Sequence, residues 1–281
     1  MSDTPPPLLE ARGVSRLFPI RGTGSLWRRR QMQSAVDEVS VRVDPGEVVA
    51  LVGESGSGKT TLGRMLLGLG APSSGSIHYR GQDIRMLRGA ARQQFRSDVQ
   101  VVFQDSGASL NPRRSIAQSI ALPLLYNRKL GRAAATAEAD ALLDQVGLPP
   151  AHFRDRLPHQ LSGGQRQRVG IARALASNPT VIVADEPVSA LDVSVRAQIL
   201  RLMADLQRKK GLAYLFITHD LGVVRALADR VLVMYQGQVV ESGTADDVLE
   251  HPAHAYTQRL LAATPVPDPG RQAVLAVAQE A

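Results

Sequence analysis

The chain has 281 residues, enough for one large domain or two modest ones around a packed core. Apolar residues make up 44% and charged residues 21%, which excludes wholesale disorder, and no apolar run approaches the roughly 18 residues a membrane helix needs. The formal charge of +7 suits an anionic partner such as nucleic acid, a lipid surface or a phosphorylated ligand, and the absence of cysteine excludes disulfides, cysteine–zinc sites and cysteine-held iron–sulfur clusters.

Residues 1–7 are polar and proline-rich and lack the apolar core of a signal peptide, so nothing there is expected to send the chain across a membrane. Residues 8–18 and 36–43 read as strands; Val39, Val41 and Val43 alternate with polar residues as a half-buried sheet requires. Residues 21–33, with Gly22, Gly24 and the run Arg28, Arg29, Arg30, read as an excursion loop. Asp44-Pro45-Gly46 marks a turn, and Val48–Val52 is continuously apolar, the pattern of a strand buried in a parallel sheet. Leu62, Met65, Leu66 and Leu69 then follow the helical period, with Gly70 as the expected cap. Residues 76–80 form a further candidate strand.

From 86 to 160 the texture changes to alanine-rich amphipathic segments punctuated by Pro112, Pro123, Pro149, Pro150 and Pro158, which predicts a mostly helical insertion. Alternation then resumes: a helix over 164–176, a buried strand over 181–184, a helix carrying Val195, Ile199, Leu202, Met203 and Leu206 and closed by Gly211, and a strand over 213–218. Residues 231–235 and 238–241 flank Gln236-Gly237 as a hairpin, and the tail from Pro265 is expected to be loose. Strands alternating with helices of this size predict an α/β fold with a parallel sheet covered on both faces.

Gly53-Glu54-Ser55-Gly56-Ser57-Gly58-Lys59-Thr60 fits the phosphate-loop pattern G-x-x-x-x-G-K-[ST]. Glycines let successive backbone N–H groups turn into one concavity, and the following helix, which continues with Thr61, presents its positive end to the same anion. Lys59 adds a charge near the β and γ phosphates, and the Thr60 hydroxyl can ligate Mg²⁺. The apolar strand ending in Asp185-Glu186 puts two acids at the carboxyl edge of the sheet, where such folds bind ligands. Asp185 is the expected Mg²⁺ residue and Glu186 the base that takes a proton from attacking water. Leu161-Ser162-Gly163-Gly164-Gln165 forms a second anion-receptive helix start. One nucleotide in one chain has no need of two cradles, so the second makes sense facing a γ-phosphate held by another subunit.

Together these residues resemble the ATPase subunits of ABC transporters, over about residues 8–263. The resemblance implies a P-loop NTPase core of the RecA-like α/β kind with an antiparallel β subdomain and an inserted helical subdomain. The implied division is 8–85 for the β subdomain and the first part of the core, 86–160 for the helical subdomain that meets the permease, 161–250 for the rest of the core, and 251–281 for a C-terminal motif and tail. By the same resemblance Gln104 is the Q-loop glutamine that senses Mg²⁺ and the permease. Ser189-Ala190-Leu191-Asp192 is the D-loop that crosses to the other subunit, and His219 is the switch histidine on the γ-phosphate. Phe18, 35 residues before Gly53, stands as the adenine-stacking aromatic. The implied ligands are ATP and Mg²⁺, bound by residues 53–61, Gln104, the signature residues Ser162 to Gln165, and Asp192.

Further features look like the oligopeptide/dipeptide branch: Gly63-Arg64 after the P-loop, Ser109-Leu110-Asn111-Pro112-Arg113 after the Q-loop, and His251-Pro252-Ala253-His254-Ala255-Tyr256-Thr257. Ser106-Gly107 and Ala255 depart from that branch's usual residues, outside the nucleotide site. The resemblance implies a second ATPase subunit (identical or a paralogue), two integral-membrane permeases and, indirectly, a solute-binding protein, at the cytoplasmic face of the membrane. Import of another solute such as nickel or a peptide-like compound is the alternative within transporters. A non-transport ABC-type ATPase acting on nucleic acid is the distant alternative, disfavoured by one cassette and no long heptad run, so no nucleic-acid partner is expected.

Overall fold

The computed structural model describes residues 6–19, 32–104, 106–107 and 109–263. The loop expected over 21–33 falls outside them except for Met32 and Gln33, which are already strand, and so does the tail from Pro265.

In chain order, β1 (Leu9–Pro19), β2 (Met32–Val43), β3 (Val48–Val52), α1 (Lys59–Leu66), β4 (Ser74–Tyr79) and β5 (Gln82–Asp83) come first. Next are α2 (Gly89–Asp98), β6 (Val99–Phe103), α3 (Ile116–Tyr126), α4 (Arg132–Gln145), α5 (Pro150–Phe153) and α6 (Gly163–Leu175). The chain continues with β7 (Val181–Asp185), α7 (Val193–Lys210), β8 (Ala213–Thr218), α8 (Leu221–Leu227), β9 (Arg230–Tyr235), β10 (Gln238–Thr244), α9 (Ala245–Glu250) and α10 (Ala255–Ala262).

Two sheets result. A four-stranded antiparallel sheet has the order β2-β1-β4-β5, and a six-stranded sheet has the order β10-β9-β3-β8-β7-β6. The second is parallel except for the closing hairpin β9–β10. That hairpin turns through Gln236 and Gly237, both at positive φ, the twist that a two-residue turn needs to match its strands.

The central strands are buried on both faces, and residue parity decides the partner. Val49, Leu51, Val183, Leu215 and Ile217 pack toward α1 and the antiparallel sheet. Ile182, Ala184, Tyr214 and Phe216 pack toward α6, α7 and the helical region, while Ala50 and Val52 meet the last helices. This period-two exchange between two apolar layers explains why these strands read as continuous apolar runs.

Two local expectations are corrected. Region 86–160 is mostly helical as expected but is not all insertion, because β6 lies inside it and pairs with β7 as the edge of the parallel sheet. α2 runs straight into β6 with no glycine or proline between them, so a five-residue run has no punctuation to mark it. The P-loop helix ends at Leu66, not near Gly70. Gly68 at φ +67 takes the left-handed position, the Leu69 N–H reaches the Arg64 carbonyl at 2.9 Å and the Gly68 N–H reaches Met65 at 2.9 Å, a Schellman ending. Leu69 is consequently 65% exposed rather than part of the apolar face.

Candidate functional site

The carboxyl ends of four adjacent parallel strands gather the chemistry. β3 leads into the glycine-rich loop, β8 into His219, β7 into Glu186, and β6 into Gln104. β8 follows from one side of β3, and the chain then crosses to build β9 on the other, so the loop sits where strand order reverses, the crevice at which open α/β sheets bind ligands.

Backbone shape dictates the loop's glycines. Gly53 lies at φ +150, where a β-carbon would come within 2.2 Å of the Met234 carbonyl oxygen. Gly58, the residue before α1, lies at φ +105 with the Ala35 carbonyl equally close. A side chain at either place is blocked by backbone, not by something that could swing aside. Lys59 is 5% exposed and its ammonium donates to the carbonyls of Gly53 and Glu54 at 2.7 Å each, with Ser57 Oγ at 3.3 Å. Burial lowers its pKa, opposed by the carboxylates of Glu186, Asp185 and Glu54.

Thr60 donates to Asp185 Oδ1 at 3.2 Å. Burial raises the Asp185 pKa, with the Thr60 hydrogen bond and the positive charges of Arg64 and Lys59 acting against it. Two hard oxygens thus stand side by side with an ionised form that lacks solvent. Such a pair fits Mg²⁺, which takes few protein ligands and completes its shell with phosphate and water oxygens. No cluster of three or more acidic, histidine or cysteine ligands occurs among the described residues.

Glu186 follows β7 at φ +48, a left-handed backbone that non-glycine residues adopt at some cost and that clusters at functional sites. Its N–H donates to the Ile217 carbonyl at 2.8 Å, and its carbonyl accepts from the Ser189 hydroxyl at 3.2 Å. The carboxylate Oε1 meets His219 Nδ1 at 3.1 Å. His219 is largely exposed at the tip of β8, while the Glu186 side chain is mostly covered.

Phe18 reaches this side of the molecule through the antiparallel sheet. It is 42% exposed, has the Arg16 guanidinium 4.9 Å from its ring centre, and borders a cavity of about 440 Å³ with Gly56, Ala35, Gln236 and Gly237. The 35-residue separation in sequence is bridged because β1 pairs with β2, whose start carries Ala35 onto the glycine loop.

Other expected residues are not joined to this centre. Gln104 is exposed at the end of β6, and no hydrogen bond among the described residues links it to Thr60 or Asp185. Ser162 and Gly163 are exposed at the start of α6. Ser162 Oγ accepts from the Gln165 N–H at 3.3 Å, and the Ser162 N–H donates to Gln165 Oε1 at 2.9 Å, a reciprocal capping box. Gln165 therefore has a local structural role that the S-x-x-Q spacing itself discloses. Gly164 is buried against α7, where a β-carbon on it would sit 2.3 Å from Val195. Asp192 is an exposed N-cap of α7 without a side-chain capping bond.

Four side chains that hold the site together have no role in the sequence reading. Arg196 pairs with Asp220, which caps α8 directly after His219. Arg173 on α6 donates to the carbonyl and hydroxyl of Ser109 at 2.7 Å, and Gln167 donates to the Phe103 carbonyl at 3.2 Å, binding the signature helix to the segment around Gln104. Tyr256 accepts from the Glu54 N–H at 2.9 Å. Only the last had a signal, since it belongs to a motif already singled out.

Known proteins are similar to this chain along most of its length. A family model described as ABC transporter matches residues 36–189, and one described as oligopeptide/dipeptide transporter, C-terminal region, matches residues 240–281. The glutathione import ATP-binding protein GsiA of Pectobacterium atrosepticum is 52% identical over 266 residues, which are 95% of this chain and 42% of that protein. The dipeptide transport ATP-binding protein DppF of Escherichia coli is 47% identical over 259 residues, 92% of this chain and 77% of that one. The chain thus spans less than half the length of the glutathione-import relatives. Among solved structures, a dimeric bacterial ABC transporter cassette superposes with a TM-score of 0.74 at 28% identity, covering 84% of this chain and 98% of that one. The cbiO1 protein of Clostridium perfringens, part of an ABC transporter complex, gives 0.73 at 28% identity, covering 88% and 92%.

Proposed function

This chain belongs to the ABC transporter ATPase family, and from that premise we propose that it is the ATP-hydrolysing subunit of an importer of short peptides. The observation that carries the ATPase reading is the convergence of Lys59, Thr60–Asp185 and Glu186–His219 at the ends of neighbouring parallel strands. Peptide import is supported by the match of residues 240–281 to the oligopeptide/dipeptide C-terminal model and by relatives named for dipeptides and glutathione.

In the proposed reaction the loop 53–60 and the first turn of α1 hold the phosphates through backbone N–H groups, and Lys59 supplies positive charge against them. Thr60 and Asp185 would hold Mg²⁺, which screens the phosphate charge. Glu186 accepts the proton of the attacking water, and His219, hydrogen-bonded to it, fixes the carboxylate's direction. Phe18 would stack on the base, in the cavity beside Gly56. Gln104 would report on the metal and the permease from the end of β6.

Among the described residues Ser162 and Gly163 join no other element of the site, and their exposure suits a γ-phosphate held by a second ATPase subunit. Two such chains, head to tail, would sandwich two ATP molecules, and Asp192 would lie near the crossing. Residues 86–160, apart from β6, would form the surface that receives two permease subunits at the cytoplasmic face of the membrane. The remaining divisions follow: 8–85 and 161–250 build the nucleotide core with its β subdomain, and 251–281 carries the C-terminal motif. ATP binding favours the closed pair and its hydrolysis releases it, the differential affinity any ligand-driven switch needs.

Glu186→Gln tests the mechanism. Removing the base should cut turnover by about a hundredfold or more while leaving ATP binding intact, so that ATP-bound dimers accumulate in light scattering. Unaltered hydrolysis would remove Glu186 from the role of base.

A further inference from the structure

Residues 255–262 form the last described helix, and its first turn touches the phosphate loop. Tyr256 is 2% exposed, and its ring lies against Tyr235 with centroids 4.2 Å apart, inside the cluster that contains Val52, Val231 and Val233. The turn that presents it is built by its neighbours. Glu241 of β10 accepts from the Ala253 N–H at 2.7 Å and the His254 N–H at 3.1 Å, and His254 Nδ1 accepts from the Tyr256 N–H at 3.1 Å. The motif His251 to Thr257 is therefore a rigid seat for one phenol.

That phenol accepts from the Glu54 N–H at 2.9 Å. The peptide unit carrying this N–H also carries the Gly53 carbonyl, and that carbonyl accepts from the Lys59 ammonium at 2.7 Å. A peptide unit is planar, so its two polar ends turn together. Tyr256 holds one end and Lys59 the other. Two of the ammonium's three N–H donors are engaged by the Gly53 and Glu54 carbonyls at 2.7 Å, and the third has only the longer contact to Ser57 Oγ at 3.3 Å, the one that a phosphate oxygen would replace.

We propose that Tyr256 is a positioning residue for nucleotide binding: by fixing the Gly53–Glu54 peptide plane it aims Lys59 at the phosphates. This rests on the reading of residues 53–60 as the nucleotide site and goes beyond it, because it gives the C-terminal motif a task in the ATP cycle. The phenol's pKa is raised, chiefly by burial, so the group remains a neutral hydroxyl at physiological pH.

Tyr256→Phe keeps the ring and deletes the hydrogen bond. Isothermal titration of the full chain with ADP, which needs no second subunit to close, should show binding weakened about three- to tenfold, the worth of one such bond. KM for ATP should rise by the same factor with kcat within about twofold, because the loss falls on ground state and transition state alike. Amide exchange followed by NMR should show the Glu54 N–H protected in the unsubstituted protein and exchanging faster in Tyr256→Phe. Equal ADP affinity in the two proteins, or fast Glu54 exchange in the unsubstituted one, overturns the assignment. Failure of the unsubstituted chain to bind ADP at all, with Glu54 protected, would instead overturn the nucleotide reading and with it the aim given to Lys59.

Discussion

The site stores electrostatic tension in two side chains before any phosphate is considered. Lys59 and Asp185 are both shifted by burial toward their neutral forms, the lysine downward and the aspartate upward. A carboxyl with a raised pKa, as at Asp185, binds its proton more tightly in the fold than in the unfolded chain, so folded stability falls as pH rises through the shifted value. The penalty is in force at neutral pH and absent below the ordinary carboxylate range. Asp185→Asn removes the charge and leaves an oxygen for Thr60, so the nucleotide-free variant should melt above the unsubstituted protein at pH 7. Calorimetric scans at decreasing pH should show that advantage fade toward pH 4. Turnover should drop about a hundredfold or more, since a metal clamp supplies several kcal/mol to phosphoryl transfer. Stability given up for activity is the usual condition of an active-site residue.

At the scale of elements, α6 links two sites that lie far apart in sequence. One stripe of the helix, Gln167, Gly170 and Arg173, rests on the segment that follows β6. Gly170 allows that contact, because a β-carbon there would lie 2.3 Å from Ser106 Oγ and 2.7 Å from its Cβ. Gly170→Ala should cost about 1–3 kcal/mol in a denaturant melt, the range for overpacking a tight contact. Ser106→Gly in the same chain should recover most of the loss, and the double-mutant cycle measures the coupling. Ser106, read in the sequence only as a departure from its relatives' pattern, has this packing contact with α6. The capping box at Ser162 and Gln165 was legible from spacing, whereas β6 and the Gly68 ending were not. β6 depends on what lies alongside, since it is a strand because β7 offers a ladder, whereas α1 had two glycines that could close it and the backbone takes its left-handed turn at the first, Gly68.

For the molecule as a whole, the exposure of Ser162, Gly163, Gln104 and Asp192 contrasts with the burial of Lys59. Residues proposed to serve another chain have no reason to be covered by their own. Ser162→Arg should leave the ADP affinity of the single chain nearly unchanged and cost it no more stability than the loss of one helix N-cap, about 0.5–2 kcal/mol, since the position is exposed. The same substitution placed in the Glu186→Gln background should abolish the ATP-dependent dimer, and alone it should lower turnover at least about tenfold. Dimers that persist in the Ser162→Arg, Glu186→Gln double variant would show that this surface lies outside the ATP sandwich. No helix among the described residues is long and apolar enough to cross a membrane.

What the linear sequence determined was chemistry held in short, contiguous words: the glycine loop with Lys59 and Thr60, the strand-terminal Asp185-Glu186, and the serine–glycine helix start at 162. Each is local, because a loop conformation, a helix cap or a strand end needs only a few neighbouring residues to be specified. Tertiary structure alone decided the pairings between words. Thr60 bound to Asp185, Glu186 set against His219, Arg173 holding Ser109 and Tyr256 reaching Glu54 are contacts between segments separated by up to about 200 residues. Such contacts depend on strand order in the sheet, and strand order is a property of how apolar faces pack, which no single stretch of chain contains.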